Sequence, residues 1–319
     1  MMNETAIGWT DLTWNPWSGC KVKSAGCKFC YAEQLAEKRR GTKAFPNGFE
    51  LTVRPRNFDD PVKALQKYGP SLIFCESMSD IALDDDDLTP GEVDRLTAAG
   101  FRGMDHLRDR YFWAVLRAPE HRYQLVTKRP AQLLAYVQRT NFRPEVIAAL
   151  RSCWVGVTLE HVGEAQRLDT LRAFRSWARV LFVSAEPLLS DFDGVDLDGI
   201  DWVIGGGESG LHASDPRFAD RLLVRRVAPE HRHIEPHGWV PTDEGERRVR
   251  SVHEAARRAG AAFFFKQWGG PQPSSGGRLL WDREWDELPE HVPGAMPPGR
   301  RPREAATAGL ARKLPVVQS

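Results

Sequence analysis

Three of the five cysteines fall within one short stretch, Gly19 to Ala32: Cys20, Cys27 and Cys30, spaced C-x6-C-x2-C. Thiolates are soft ligands that suit zinc or iron–sulfur clusters. A structural zinc site is normally four-coordinate and closed, and no fourth cysteine or histidine lies nearby in sequence. A cubane cluster usually takes four cysteines, so three thiolates would leave one iron open to a substrate or a cofactor. A three-cysteine zinc knuckle completed by a remote histidine is the alternative, and ligand chemistry leaves both open. His231, His233 and His237 fit either a second metal site or a solvated loop. Cys75 and Cys153 sit inside apolar, strand-like runs and read as buried free thiols.

The elements that must position this loop follow from periodicity. A strand is predicted over 6–14, rich in Thr, Trp and Ile and ended by Asn15-Pro16. A helix over 29–40 follows. The cysteines then lie at the C-terminal end of a strand, the face where α/β barrels build active sites. Further strands are predicted at 71–77, 123–127, 154–159, 180–184, 201–204 and 261–265. Helical patterns occupy 91–118 (broken near Gly100 to Gly103), 131–150, 163–177 and 246–258. This alternation implies βαβ units on a parallel sheet. The expected fold class is α/β, a partial or complete TIM-like (β/α) barrel of about six to seven parallel strands. Residues 1–270 form the barrel, with an insertion near 211–245, and 271–319 form an irregular C-terminal extension. Within that extension Trp281 to Leu288 could dock on the body, and the remainder is expected to be a mobile tail.

Each predicted strand runs directly into polar residues. These are Glu76, Ser77, Ser79 and Asp80; Thr127, Lys128 and Arg129; Thr158 and Glu160; Ser184 and Glu186; Glu208 and Ser209; Lys266 and Gln267. A single such end means little, but a set of them in register with a cysteine loop suggests one shared face. Gly205, Gly206 and Gly207 would let backbone approach a ligand closely, or form a plain turn. Lys266 could act as an acid/base or bind an anion, or close its strand in a surface ion pair. Residues 38–56 carry Lys38, Arg39, Arg40, Lys43, Arg54 and Arg56 against the single acid Glu50. Such a loop is either simply solvated or a contact for phosphates.

The chain as a whole narrows the classes. With 319 residues, 41% hydrophobic and 27% charged, it can bury a sizeable core. A formal net charge of +1 gives no global polyanion-binding signature. No run of about 18 apolar residues predicts a membrane span, and the N-terminus carries no signal-peptide pattern. Clustered cysteines in a reducing compartment suit a metal site better than a disulfide framework, so a cytoplasmic location is expected.

Cys27-Lys28-Phe29-Cys30 resembles the C-x-aromatic-C step that closes the cluster motif of the radical S-adenosylmethionine (SAM) superfamily. The gap between the first two cysteines is longer here than is usual there. Trp14-Asn15-Pro16, Gly19-Cys20, Gly26 to Ala32, Ser77 to Asp80, Leu125 to Pro130, Ser184 to Leu188, Gly206 to Gly210 and Phe263 to Gly269 are together similar to a phage-associated three-cysteine-motif family. That family looks like a radical SAM branch near spore photoproduct lyase. The resemblance spans roughly residues 5–270, excluding 211–245.

The resemblance implies a 4Fe-4S cluster on Cys20, Cys27 and Cys30 that cleaves SAM reductively, with an external electron donor. The resulting 5′-deoxyadenosyl radical would abstract hydrogen from a substrate. It places Phe29 near the adenine and Ser77, Ser79 and Asp80 toward the SAM amino group. Thr127, Glu160 and Ser184, with Gly206, Gly207 and Glu208, become cofactor-binding candidates. Lys266, Glu186 and Lys128 become catalytic candidates. The implied substrate is a hypermodified thymidine in phage DNA, such as Nα-glycinyl-thymidine converted to a carbon-linked isomer, in the host cytoplasm. A base in duplex DNA would have to be flipped out. A radical SAM enzyme acting on a peptide or small metabolite, and a non-catalytic zinc-binding phage protein, are the other readings.

Overall fold

Residues 153–158, Cys-Trp-Val-Gly-Val-Thr, alternate between two packing environments. Cys153, Val155 and Val157 join the large core shared with the helices, whereas Trp154 joins a smaller, aromatic-rich core. Successive side chains of a strand point to opposite faces, so this segment is a strand buried on both sides. The same parity recurs in every neighbouring strand, and it defines a sheet with a helix-covered outer face and an inner face of its own.

The computed structural model describes residues 2–228 and 238–289. In chain order it contains β1 (Asn3–Glu4), β2 (Leu12–Trp14), β3 (Trp17–Ser18), α1 (Tyr31–Lys38), β4 (Thr52–Val53), α2 (Asp60–Tyr68), β5 (Leu72–Cys75), α3 (Pro90–Ala98), α4 (Met104–Leu116) and β6 (Arg122–Thr127). There follow α5 (Pro130–Arg139), α6 (Arg143–Leu150), β7 (Cys153–Thr158), α7 (Arg167–Arg172), β8 (Val180–Ala185), β9 (Trp202–Gly206), β10 (Val224–Arg226), β11 (Trp239–Pro241), α8 (Asp243–Arg258) and β12 (Ala262–Gln267).

The main sheet has the order β1-β2-β5-β6-β7-β8-β9-β12. Every pairing from β2 through β12 is parallel. Each crossover therefore advances one place in the same direction, and the seven parallel strands curl into a half-barrel flanked by helices. This is the expected α/β, partial-barrel architecture. Among the described residues, no helix is long and apolar enough to cross a membrane.

Both margins of the sheet are covered by short antiparallel segments. β1 pairs with β2 through Asn3↔Thr13 and Glu4↔Leu12. On the far margin, Phe265 N donates to Trp285 O at 2.9 Å and Glu287 N to Phe263 O at 3.2 Å. Glu287 O also accepts Trp202 Nε1 at 2.9 Å. The predicted docking of Trp281 to Leu288 thus takes the form of a strip along β12. The rest of the extension, 290–319, lies outside the described residues.

The inner face is filled at its base by Trp9, Leu72, Trp154, Val180, Phe182, Trp202, Ile204 and Phe264. Trp202 lies near the centre of this packing, with ring centroids 6.0 Å from Trp9, 5.7 Å from Trp154 and 5.5 Å from Phe182. Trp9 explains why the first strand is shorter than predicted. Residues 5–11 leave the sheet in a turn, with Thr10 N donating to Ile7 O, and carry the indole inward. Only Leu12–Trp14 remain in register with β5.

The described parts of the 211–245 stretch, 211–228 and 238–245, carry short regular elements. The stretch opens with short 3-10 turns at Leu211–Ser214 and Pro216–Arg221, followed by the β10–β11 hairpin. Helix α8 begins at Asp243 because Thr242 caps it, accepting the Gly245 N–H at 2.9 Å. His231, His233 and His237 lie outside the described residues.

Candidate metal centre

The cysteine loop leaves β3 at Gly19 and is held from several sides. Gly19 N donates to Met78 O at 3.0 Å, tying the loop to the end of β5. Lys21 Nζ pairs with the buried Glu92 at 2.7 Å. The middle of the loop is fixed by Glu160, just past β7. Its Oε1 accepts the Gly26 N–H at 3.3 Å and the Ser24 hydroxyl. Its Oε2 pairs with Arg167 Nη1 at 2.9 Å. A Cβ on Gly26 would sit 3.0 Å from Glu160 Cγ, so glycine permits this approach. Burial would raise the Glu160 pKa, but the Ser24 bond, Lys128 and Arg167 together hold it below the usual carboxylate range.

Two of the three cysteine sulfurs are faced by N–H groups. Arg129 Nη1 lies 3.7 Å from Cys20 Sγ, and Lys23 N donates to Cys27 Sγ at 3.5 Å. Cys30 is the N-cap of α1. Burial and then Asp80 push the Cys20 thiol up to about 12, against Arg129. Burial also raises the Cys30 thiol. Among the described residues, no three His, Cys, Asp or Glu side chains converge as they would around a single metal ion. The irons of a cubane hold their ligand sulfurs farther apart than one ion does. Three thiols on one loop, two of them met by N–H donors, fit the soft ligand set of a cluster that leaves one iron open.

Phe29 is enclosed. His212 stacks on it with centroids 3.8 Å apart and planes at 9°, and Phe218 meets it edge-on at 4.6 Å. Arg221 lies over the same ring at 5.2 Å and clamps Glu208 with bonds of 2.7 and 2.8 Å. Neither ring nitrogen of His212 has a hydrogen-bond partner. Sequence reasoning missed His212, Phe218 and Arg221, because an aperiodic insertion gives no clue to what it packs against.

The end of β5 is bound up within the protein. Asp80 accepts from Thr127 Oγ1 (2.6 Å), Ala82 N (2.9 Å), Lys128 N (3.1 Å) and Arg129 Nη1 (3.3 Å). Thr127 Oγ1 also accepts the Arg129 N–H at 2.8 Å. Ser77 Oγ accepts from Asn15 Nδ2 at 2.9 Å, and Ser79 donates to Glu76. Asp80 and Thr127 are thus braces that join β5 to β6. Glu76 combines a left-handed φ of 59° with a buried carboxylate whose Oε1 has no partner. Burial raises its pKa well above the usual value.

The opposite rim carries a relay of side chains. Ser184 Oγ donates to Glu186 Oε2 at 3.2 Å, and Lys266 Nζ pairs with Glu186 Oε1 at 2.7 Å. A Cβ on Gly206 would lie 3.0 Å from Glu186 Oε1, and one on Gly207 would lie 2.0 Å from Trp268 O. These glycines therefore admit protein groups. Lys128 Nζ, on the end of β6, lies 3.4 Å from Thr158 Oγ1.

The basic loop divides. Lys38, Arg39, Arg40, Lys43 and Arg56 are exposed, although Arg40 is tied to Glu37 at 2.8 Å. Arg54 turns inward to Ser18 Oγ at 3.1 Å and to the Ala44 carbonyl, and burial lowers its pKa.

Residues 4–223 match a family described as "Protein of unknown function (DUF5131)". The chain belongs to the DUF5131 family. The matched region of this DUF5131 chain holds the cysteine loop, Asp80, Arg129, Glu160, Glu186 and Arg221, while Lys266 on β12 lies beyond it. Comparison with curated proteins and with solved structures returned no match.

Proposed function

We propose that this DUF5131 protein is a radical SAM enzyme. The observation that carries the reading is the loop bearing Cys20, Cys27 and Cys30, held at the C-terminal face of a parallel half-barrel with N–H groups facing the Cys20 and Cys27 sulfurs. Such donors support soft anionic ligands and tune what they hold. When bound, a 4Fe-4S cluster with one open iron supplies one-electron cleavage of SAM to a 5′-deoxyadenosyl radical.

The chain's own residues bind, orient and move protons. Glu160 and Glu92 fix the cysteine loop on the rim. Lys266 holds a proton on Nζ beside Glu186 and can pass it to a substrate anion; Ser184 orients the carboxylate. Lys128 offers a second cation beside Thr158. The aromatic base excludes water from below.

The proposed substrate is a modified thymidine in DNA, isomerised from nitrogen to carbon attachment. The exposed Lys38, Arg39, Lys43 and Arg56 support it, because lysine and arginine set position on a phosphate backbone. The decisive experiment is anaerobic reconstitution with iron and sulfide, followed by dithionite and SAM. About four irons per chain and release of 5′-deoxyadenosine are expected. A colourless protein holding one zinc and leaving SAM intact would end the reading.

A further inference from the structure

Arg129, the donor that faces Cys20, is nearly sealed from solvent, with 2% of its side chain exposed. Its placement is fixed at both ends. The backbone N–H is held by Thr127 Oγ1 at 2.8 Å, and its carbonyl accepts the N–H groups of Gln132 and Leu133, where α5 begins. Nη2 donates to Lys21 O at 2.7 Å, which ties it to the residue after Cys20. Nη1 is shared between Asp80 Oδ2 at 3.3 Å and Cys20 Sγ at 3.7 Å. Nε lies 3.7 Å from Asp87 Oδ2.

Burying a cation costs several kcal/mol unless it is paired and its donors are satisfied. Asp80 supplies the pairing while also accepting from Thr127, Ala82 and Lys128. The Nη1 that it shares is the atom that reaches the Cys20 sulfur.

We infer that Arg129 is a positioning residue that sets the reduction potential of the group ligated by Cys20, with Asp80 as its counterweight. The inference rests on the cluster reading above. Accepting one electron from an external one-electron donor adds negative charge next to the sulfur. A fixed guanidinium in hydrogen-bond contact stabilises that added charge and raises the potential. The Asp80 carboxylate on the same guanidinium acts in the opposite sense. No bond is made or broken in this step, and only the electron changes hands.

The test is a mediated redox titration, with dithionite as reductant and electron paramagnetic resonance as readout. It uses reconstituted full-length wild type, Arg129→Gln, Arg129→Lys and Asp80→Asn. Arg129→Gln should shift the midpoint to more negative potential, Arg129→Lys should recover part of the shift, and Asp80→Asn should move it positive. Arg129→Gln with a full cluster at the wild-type midpoint overturns the inference. So does a variant that loses occupancy while the remaining cluster keeps that midpoint, because the arginine is then only a brace. If Arg129→Gln does not fold, an unmoved midpoint in Asp80→Asn overturns it instead. A wild-type protein that takes up no cluster defeats the underlying reading, and that result is visible before any variant is made.

Discussion

Glu160 Oε1 accepts the backbone N–H of Gly26 at 3.3 Å, joining residues 134 positions apart in sequence. The cysteine loop is therefore part of the barrel's rim. Glu160→Ala removes this tie and leaves the buried Arg167 with Glu164 as its remaining acid. Breaking a buried pair by removing one partner costs about 3–5 kcal/mol. A lower thermal midpoint and reduced iron uptake are expected together, and Glu160→Gln should fall between because it keeps an acceptor for Gly26. Calorimetry and iron counting on the same samples check this.

Glu92 makes the loop's attachment pH-dependent. Burial would raise its pKa, but Lys21, the Leu51 N–H and Thr89 outweigh burial and lower it to about 2. A depressed folded-state pKa means the stabilisation is complete above the ordinary value of 4.5 and is lost as pH falls toward about 2. Linkage puts the contribution at about 3 kcal/mol. Denaturant titrations at neutral pH and near pH 3 should show a smaller loss on acidification in Glu92→Gln than in wild type.

Lys266 and Glu186 form a pair that is 30% and 14% exposed. Pairs with this much solvent contact contribute about 1 kcal/mol or less. Lys266→Met should therefore barely move the thermal midpoint or the iron content. If Lys266 passes a proton to substrate, product formation should fall by about 10²–10⁴-fold. Equal losses in turnover and stability would assign the lysine a structural role.

The basic loop should separate by salt dependence. Removing one side chain that neutralises a phosphate lowers the slope of log affinity against log salt by about 0.9. Lys43→Gln and Arg56→Gln should each flatten the slope for DNA without changing the fold. Arg54→Gln should instead destabilise the protein, because that guanidinium holds Ser18 and Ala44.

His212 covers one face of Phe29 at 3.8 Å, with no hydrogen bond to either ring nitrogen. An adenine stacking on Phe29 would compete with it. An aromatic stack is worth about 0.5–1.5 kcal/mol, so His212→Ala should tighten SAM binding by about 2–10-fold. Titration of the reconstituted protein with SAM measures this, and unchanged or weaker binding would show that the adenine sits elsewhere.

Residues that announce themselves by period were legible in the sequence. β7 and β8 are continuous apolar runs ending in polar residues, and both formed where expected. What escaped was set by contacts between distant residues. Residues 5–11 are β-favouring in composition but leave the sheet so that Trp9 can fill the inner face. That Asp80 and Thr127, at the ends of neighbouring strands, bond to each other is likewise not written in either segment. Arg129 was visible as a charge before Pro130, but nothing local reveals that its side chain turns back to Cys20. Arg54 and Arg56, two positions apart, looked alike; one faces Ser18 and the other is exposed.

The strips along the two margins of the sheet, and the indoles packed at its base, give the half-barrel the topology of a cup. Among the described residues, β1 pairs with β2 on one margin and Trp285 to Glu287 take up part of the β12 backbone ladder on the other. Trp9 and Trp154 are buried at the base and both pack edge-on against Trp202. At the other end, the cysteine loop and the Leu211–Arg221 segment lean on each other ring on ring, Phe29 on His212. Two segments distant in the chain thus share one contact, and any group that enters beside Phe29 has to part them.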